Sequence, residues 1–310
     1  MEYRVQHHLR IPKLTLGTVQ LGMPYGIANK TGQPDESQSQ ALLFQAERAG
    51  ISSYDTAAAY GDAEAVLGCY FQDNPRTDRL IVTKVKLEAA SYTTDAELEK
   101  AVRSQLENSL RQLRVNHIPI YLLHQADDLH RFQKRLVVVM EKLVRENLIG
   151  LAGVSVYHAA DLDKMLQYDV FQATQIPINI FDQRLVWSGH LERLRQKNAV
   201  VFARSVFLQG LFFLDPDHLP PLLAEAAPLL RQLHRLAEDE QLSIAQLAIS
   251  FVRDLPGISS LVLGSETVDQ VRENIRLLAA PPLSSSCRNI ADRLFRDVPE
   301  QVLNPARWRA

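Results

Sequence analysis

Two cysteines in 310 residues, Cys69 and Cys287, make no disulfide framework, and no metal-ligand spacing surrounds either. Their simplest reading is a pair of free or buried thiols in a reducing cytosol. Net charge is nearly absent: 34 basic and 36 acidic residues leave −2, too little to gather nucleic acid or an anionic membrane surface. The arginines toward the C-terminus (Arg288, Arg293, Arg296, Arg307, Arg309) read as solvated surface. No run approaches the ~20 apolar residues of a membrane span, and Met1-Glu2-Tyr3-Arg4 leads into no apolar signal region. The expectation is a soluble cytoplasmic protein. No strand is followed by Gly-x-Gly-x-x-Gly and no Tyr-x-x-x-Lys occurs, which argues against a doubly wound sheet.

What is present is ample material for a core, with 46% hydrophobic and 23% charged residues. Apolar runs ending in polar residues recur along the chain. Leu14–Thr18 reads as a first strand and Ile51–Asp55 as a second. Leu80–Lys84, Ile118–His124, Gly150–Ser155, Ala173–Ile178, Val200–Ala203 and Ser260–Leu263 follow. Between them lie helical patterns. Asp35 with Gln38 and Thr94 with Glu97 form capping boxes, Leu98, Val102, Leu106, Leu110 and Leu113 make one helix face, and Thr267 with Gln270 opens the last helix. Between the fourth and fifth strands a helix is expected around Leu136 to Glu146. Eight strand-then-helix units without a sequence repeat predict an α/β fold, a (β/α)8 TIM barrel in one domain over residues 1–310. Extended βα loops and a C-terminal tail are expected over its rim.

Three consecutive strands end in Asp55 (with Tyr60 just beyond), Lys84 and His124. Sequence neighbours are spatial neighbours in a barrel, so the four side chains converge at the carboxyl rim. A phenol titrates near ~10 and is a poor donor at neutral pH. An adjacent ammonium stabilises its phenolate and lowers its pKa, and a carboxylate paired with the lysine holds it in place. A histidine can orient a carbonyl oxygen. This set suits proton delivery to an oxygen becoming an alkoxide. Singly, each residue has a bland reading: a solvated lysine, a structural histidine, an aspartate capping the next helix. Their conjunction on adjacent strands favours catalysis.

These residues resemble the aldo-keto reductase family. Asp55-Thr-Ala-x-x-Tyr60-Gly61-x-x-Glu64-x-x-Leu67-Gly68 follows its signature, Lys84 and His124 stand in Val-Thr-Lys and Leu-Leu-His, and Gly153-Val154-Ser155 is similar to a third family segment. The resemblance extends from about Leu14 to Ala280. It implies an NAD(P)H-dependent oxidoreductase reducing an aldehyde or ketone, with Tyr60 as general acid, Lys84 and Asp55 tuning it and His124 orienting the carbonyl. It also implies an extended cofactor, NADPH or alternatively NADH, along Gly17, Thr18 and Asp55. Ser155 and Gln175 would hold the carboxamide, Ser205, Leu208, Gln209 and Gly210 the pyrophosphate, and Gly264, Ser265, Gln270, Glu273 and Asn274 the adenosine end, with no metal ion. Asn179 belongs to the segment of Gln175.

Four positions depart from the family pattern. Val156 stands in place of a common Asn, Arg204 in place of an aromatic ring against the nicotinamide, and Glu266 with Gln270 where basic residues often grip a 2′-phosphate. An acidic Glu266 repels that phosphate and can accept a ribose hydroxyl instead. A second reading, a cofactor-binding redox sensor that signals to a protein partner, draws on the first two departures. The expected partner of the enzyme is a small carbonyl compound. Met23, Tyr25, Asn29, Lys30, Tyr157, Trp187, the Phe207–Pro228 excursion and the tail after Pro281 are candidates to wall its pocket.

Overall fold

The computed structural model describes residues 1–29, 31–88 and 92–308; Lys30 and Arg309 lie outside them. Two short strands, β1 (Tyr3–Gln6) and β2 (Leu9–Pro12), pair antiparallel. Eight further strands follow: β3 (Leu14–Gly17), β4 (Ser53–Asp55), β5 (Leu80–Val85), β6 (Ile118–Leu123), β7 (Ile149–Ser155), β8 (Phe171–Pro177), β9 (Val200–Arg204) and β10 (Ser260–Gly264). All pair in parallel and close into a barrel as β10 meets β3. The expected barrel is the observed one, and its strands fall within a residue or two of the sequence reading.

The pleat divides each strand between two cores. Outward residues such as Leu16, Tyr54, Ile81, Tyr121, Val154 and Val201 pack beneath the helices. Inward residues Leu80 and Val82, Ile120 and Leu122, Ala173, and Val200 and Phe202 fill the barrel with Ile11 of β2. Side chains alternate with a period of two. The next inward position on each of these strands is therefore Lys84, His124, Gln175 or Arg204. The site is the top layer of the barrel's own interior. A neutral polar layer lies within the barrel too: Thr15 bonds Ser53 Oγ at 2.9 Å and Ser260 Oγ at 2.7 Å.

The sequence reading began at Leu14 and missed the β1–β2 hairpin. Its turn residues His7 and His8 both adopt positive φ, as two-residue hairpin turns require, without the usual Gly or Asn. Gln6 seats the hairpin beneath the barrel: its Nε2 donates to Ala199 O at 3.3 Å, and Ser259 Oγ donates to its Oε1 at 2.6 Å. Two helix expectations also need correction. The helix expected from Leu136 starts at Ala126, because a break at Gln133 (φ 47°) masks its first part. The helix opened by Thr267, Val268–Leu278, is not the last, since Ser285–Leu294 follows it. Arg288 does more than meet solvent: it donates to Phe251 O and Ser250 O at 3.1 Å each, closing the end of helix Ile244–Arg253.

Candidate active site

The loop after β4 is fixed to the loop after β3 by backbone contact. A Cβ on Gly22 would lie 1.8 Å from the Tyr60 carbonyl oxygen, and one on Gly61 (φ +56°) would lie 2.2 Å from Gly22 O. Only glycines allow this approach, and it holds Tyr60 over the barrel axis. Thr18 adds two bonds to Asp55 O, from its amide at 3.0 Å and its hydroxyl at 2.9 Å.

Lys84 is 1% exposed. Its ammonium reaches Asp55 Oδ1 at 2.7 Å, Thr56 O at 2.8 Å and Tyr60 OH at 3.2 Å, which accounts for all three of its donors. Gln175 Nε2 donates to the same Asp55 oxygen at 2.8 Å. Burial disfavours the ammonium, but Asp55 and Tyr60 outweigh it and hold the lysine above its ordinary pKa. The outcome for Tyr60 corrects the sequence expectation. Burial pushes the phenol up, and Lys84 pulls it down only part of the way. The resting tyrosine therefore keeps its proton through neutral pH.

The His124 ring meets Tyr60 edge-on, with centroids 5.6 Å apart at 89°. Burial first, then Lys84, Lys86 and Arg204, press its pKa down to about 3. The imidazole is neutral, and its Nδ1 is sealed from solvent without a partner among the described residues.

From these groups a cleft of ≈ 720 Å³ runs past Gly17, Ser155, Gln175 and Arg204, then Ser205, Gln209 and Gly210, to Gly264, Gln270, Glu273 and Asn274. Lys84 lies behind Asp55 and Tyr60 and does not line it. Leu208 and Ser265, expected along the cofactor, do not line it either. Leu208 is buried with φ 49° in a tight loop, and Ser265 Oγ is turned to Asn274 Nδ2 at 3.2 Å. Asn179 serves its loop, donating to Ser205 O and accepting from the Phe181 and Asp182 amides. Of the wall candidates, Tyr25, Asn29, Tyr157, Phe207 and Phe213 line the cleft. Trp187 instead bonds Asp292 at 2.5 Å, with Arg296 over its ring. The tail contributes Pro305 and Ala306 to the cleft, and Trp308 borders a smaller adjoining cavity.

Sequence reasoning passed over Gln20. It lines the cleft against Gly264, where a Cβ would lie 2.3 Å from its Nε2. Its Oε1 is buried without a partner among the described residues. Its place just past the end of β3 was the available signal.

A parallel (β/α)8 barrel with a long cleft at its carboxyl rim is an enzyme scaffold. The sequence profile of the Aldo/keto reductase family matches residues 13–294, and the chain belongs to that family. It is similar to an uncharacterised oxidoreductase of Mycobacterium tuberculosis, 27% identical over 315 residues covering 93% of this chain and 92% of the other. The NADH-specific methylglyoxal reductase of Escherichia coli is 25% identical over 299 residues, covering 87% and 90%. An aldo-keto reductase from Bacillus halodurans in its holo form shares the fold, with a TM-score of 0.77 at 21% identity over 98% of this chain and 100% of that one. The chain is thus an oxidoreductase of the aldo-keto reductase type.

Proposed function

We propose that this protein reduces an aldehyde or ketone with a nicotinamide dinucleotide, using Tyr60 as the proton donor. The observation that carries the reading is the bridge made by Lys84, 2.7 Å from Asp55 and 3.2 Å from Tyr60 OH, behind the two residues that line the cleft. Gln20 and His124, which line the cleft, add polar side chains suited to a polar ligand. So is the helix Val268–Leu278, whose N-terminus favours phosphate. Ser155 and Gln175 are suited to the carboxamide, Ser205, Gln209 and Gly210 to the pyrophosphate, and Gln270, Glu273 and Asn274 to the adenosine.

When bound, the reduced nicotinamide supplies the hydride. Neutral His124 donates an N–H to the substrate's carbonyl oxygen and orients it. Tyr60 then gives its proton to that oxygen as negative charge develops there. An alkoxide is far more basic than a phenolate, so a raised phenol pKa still leaves the transfer downhill. The phenolate left behind is stabilised by Lys84, whose own position is set by Asp55, and Asp55 is fixed in turn by Gln175 and Lys84.

Glu266 lines the far end of the cleft and accepts from Thr31 Oγ1 at 3.4 Å. Its carboxylate opposes a 2′-phosphate, so NADH serves at least as well as NADPH. The test is oxidation of each reduced cofactor with a reactive aromatic aldehyde, in wild type and Tyr60→Phe. Turnover falls by ~10²–10⁴-fold in the variant, while cofactor affinity and the melting temperature hold. Undiminished turnover in Tyr60→Phe sinks the reading. Cofactor binding without turnover on any carbonyl favours the sensor alternative.

A further inference from the structure

Residues 299–308 are bonded largely to one another. Ala306 N donates to Asn304 Oδ1 at 3.1 Å, Gln301 Nε2 to Arg307 O at 3.0 Å, and Trp308 Nε1 to Gln301 O at 2.8 Å. Val302 and Leu303 are buried, and their helix, Glu300–Leu303, packs on the short helix Pro221–Ala226. Among the described residues, a single hydrogen-bonded contact joins this unit to the rest of the chain. Arg184 Nη1 donates to Glu300 Oε2 at 2.5 Å.

Arg184 opens the short helix Arg184–Trp187 that follows β8. Its Nε and Nη2 donate to the two oxygens of Asp182 at 2.8 Å each, which leaves Nη1 for Glu300. Asp182 is 2% exposed, and its backbone oxygen accepts from Asn179 N at 3.2 Å. A planar fork held on one side by a buried carboxylate fixes where a second carboxylate sits. The ion pair is thus anchored at its barrel end, and its Glu300 end carries the tail.

Just beyond this contact the tail reaches the cleft. Pro305 and Ala306 line it, and Pro305 and Trp308 also border the smaller cavity of ≈ 270 Å³. Of the residues given above to the cofactor, Gln209 alone borders that cavity, so the tail stands to one side of the dinucleotide's track. Tyr25, which borders both spaces, ties the tail to the reacting end instead. Burial first, and then the neighbouring Tyr60, raise its phenol to about 12.

We infer that Arg184 and Glu300 form a latch that sets how bulky a substrate the cleft admits, by holding Pro305 and Ala306 against it. The inference rests on the reductase reading above. Both are positioning residues: neither lines the cleft, and they act through the tail. Once released from Arg184, the tail is kept by apolar contact alone, and the wall at Pro305 gives way to larger substrates. The two side chains are 34% and 32% exposed, and a pair so placed adds little to stability. It can shape the cleft without carrying the fold.

The test uses the full chain with saturating NADH and two aldehydes, benzaldehyde and 4-phenylbenzaldehyde, which share the reacting group and differ in length. Glu300→Lys is the variant, since it leaves Arg184 paired with Asp182, whereas removing Arg184 strands a buried carboxylate. The kcat/KM for benzaldehyde over that for the longer aldehyde falls at least about fivefold in the variant, chiefly through a lower KM for the longer one. The benzaldehyde kcat and the NADH Kd stay within about twofold, and Glu300→Asp keeps a ratio close to the wild type's. A ratio stands apart from losses common to both aldehydes, so a general defect in the variant does not imitate the result.

An unchanged or larger ratio in Glu300→Lys overturns the inference. So does a weakened NADH Kd, whatever the ratio, since it would assign the tail to the cofactor. If neither aldehyde turns over in the wild type, it is the reductase reading that fails. Calorimetric titration of the two aldehydes into NADH-loaded protein then decides the latch. Tighter binding of the longer aldehyde by Glu300→Lys than by the wild type supports it, and equal or weaker binding ends it.

Discussion

The two ends of the barrel solve the problem of buried polarity in opposite ways. At the amino-terminal end the barrel interior is plugged by Ile11 among Leu80, Val82 and Phe202, and Gln6 and Ser259 beneath it are neutral, while the buried ion pair of that end, Arg79 with Glu47 at 2.7 Å, stands outside the barrel. Gln6 is shared between Ser259 and the backbone of Ala199. At the carboxyl end the same strands bury an ammonium and a carboxylate, with side chains 0% and 5% exposed. An amide that finds its partners costs little to bury. An ion pair repays its desolvation only when geometry and further hydrogen bonds are good. Lys84 and Asp55 have those extra bonds, from Thr56, Tyr60 and Gln175. The contrast separates the ends by purpose. The hairpin end holds the barrel shut, and the rim end carries inside the barrel an electrostatic cost that the proposed chemistry would use.

The sharpest way to break this division is Lys84→Met. It strands Asp55 as a buried carboxylate without its cation, costing ~3–5 kcal/mol of stability, and removes turnover together with the phenolate's support. Denaturant melts and cofactor oxidation check both. Adding Asp55→Asn restores most of the stability and none of the activity. A double variant as unstable as the single one would mean that Lys84 acts through packing rather than charge. At the other end, Ile11→Ala leaves a cavity under the barrel and costs ~2–5 kcal/mol, with kcat and KM unchanged. A fall in kcat there, measured well below the melting temperature, would deny that the ends are separable.

How far each end was legible in the sequence follows the same line. The rim was readable because its residues close apolar runs: Lys84 after Leu80–Thr83 and His124 after Ile118–Leu123. Each such run implied a strand, and each polar terminus a place at the carboxyl end. The hairpin was not readable. Tyr3–Gln6 buries only Gln6, so it offers no apolar alternation, and the His7–His8 turn takes left-handed backbone without a residue that advertises it. Leu208 and Ser265, expected along the cofactor, do not line the cleft for a related reason. The resemblance places a residue beside a cleft, but local backbone twist decides whether its side chain enters it. The net direction of the Tyr60 shift was also out of reach, since it depends on how much burial opposes Lys84.

The smallest effect, and the one that most directly reads the electrostatic cost at the rim, concerns His124. Its imidazole is held at about 3 in the fold, against ~6.5 in the unfolded chain. Between those values the unfolded chain binds a proton that the folded one refuses, so stability rises with pH through that window and is lost as pH falls from about 6.5 toward about 3. His124→Gln removes this titration while keeping a hydrogen-bonding side chain. The melting temperature of the wild type should therefore drop further between pH 7 and pH 5 than that of the variant. Ile11→Ala, altered only at the hairpin end, should follow the wild-type slope from a lower start. Parallel curves for wild type and His124→Gln would show that the imidazole is not kept neutral by its surroundings, and the role of His124 as a neutral donor would fall with that result.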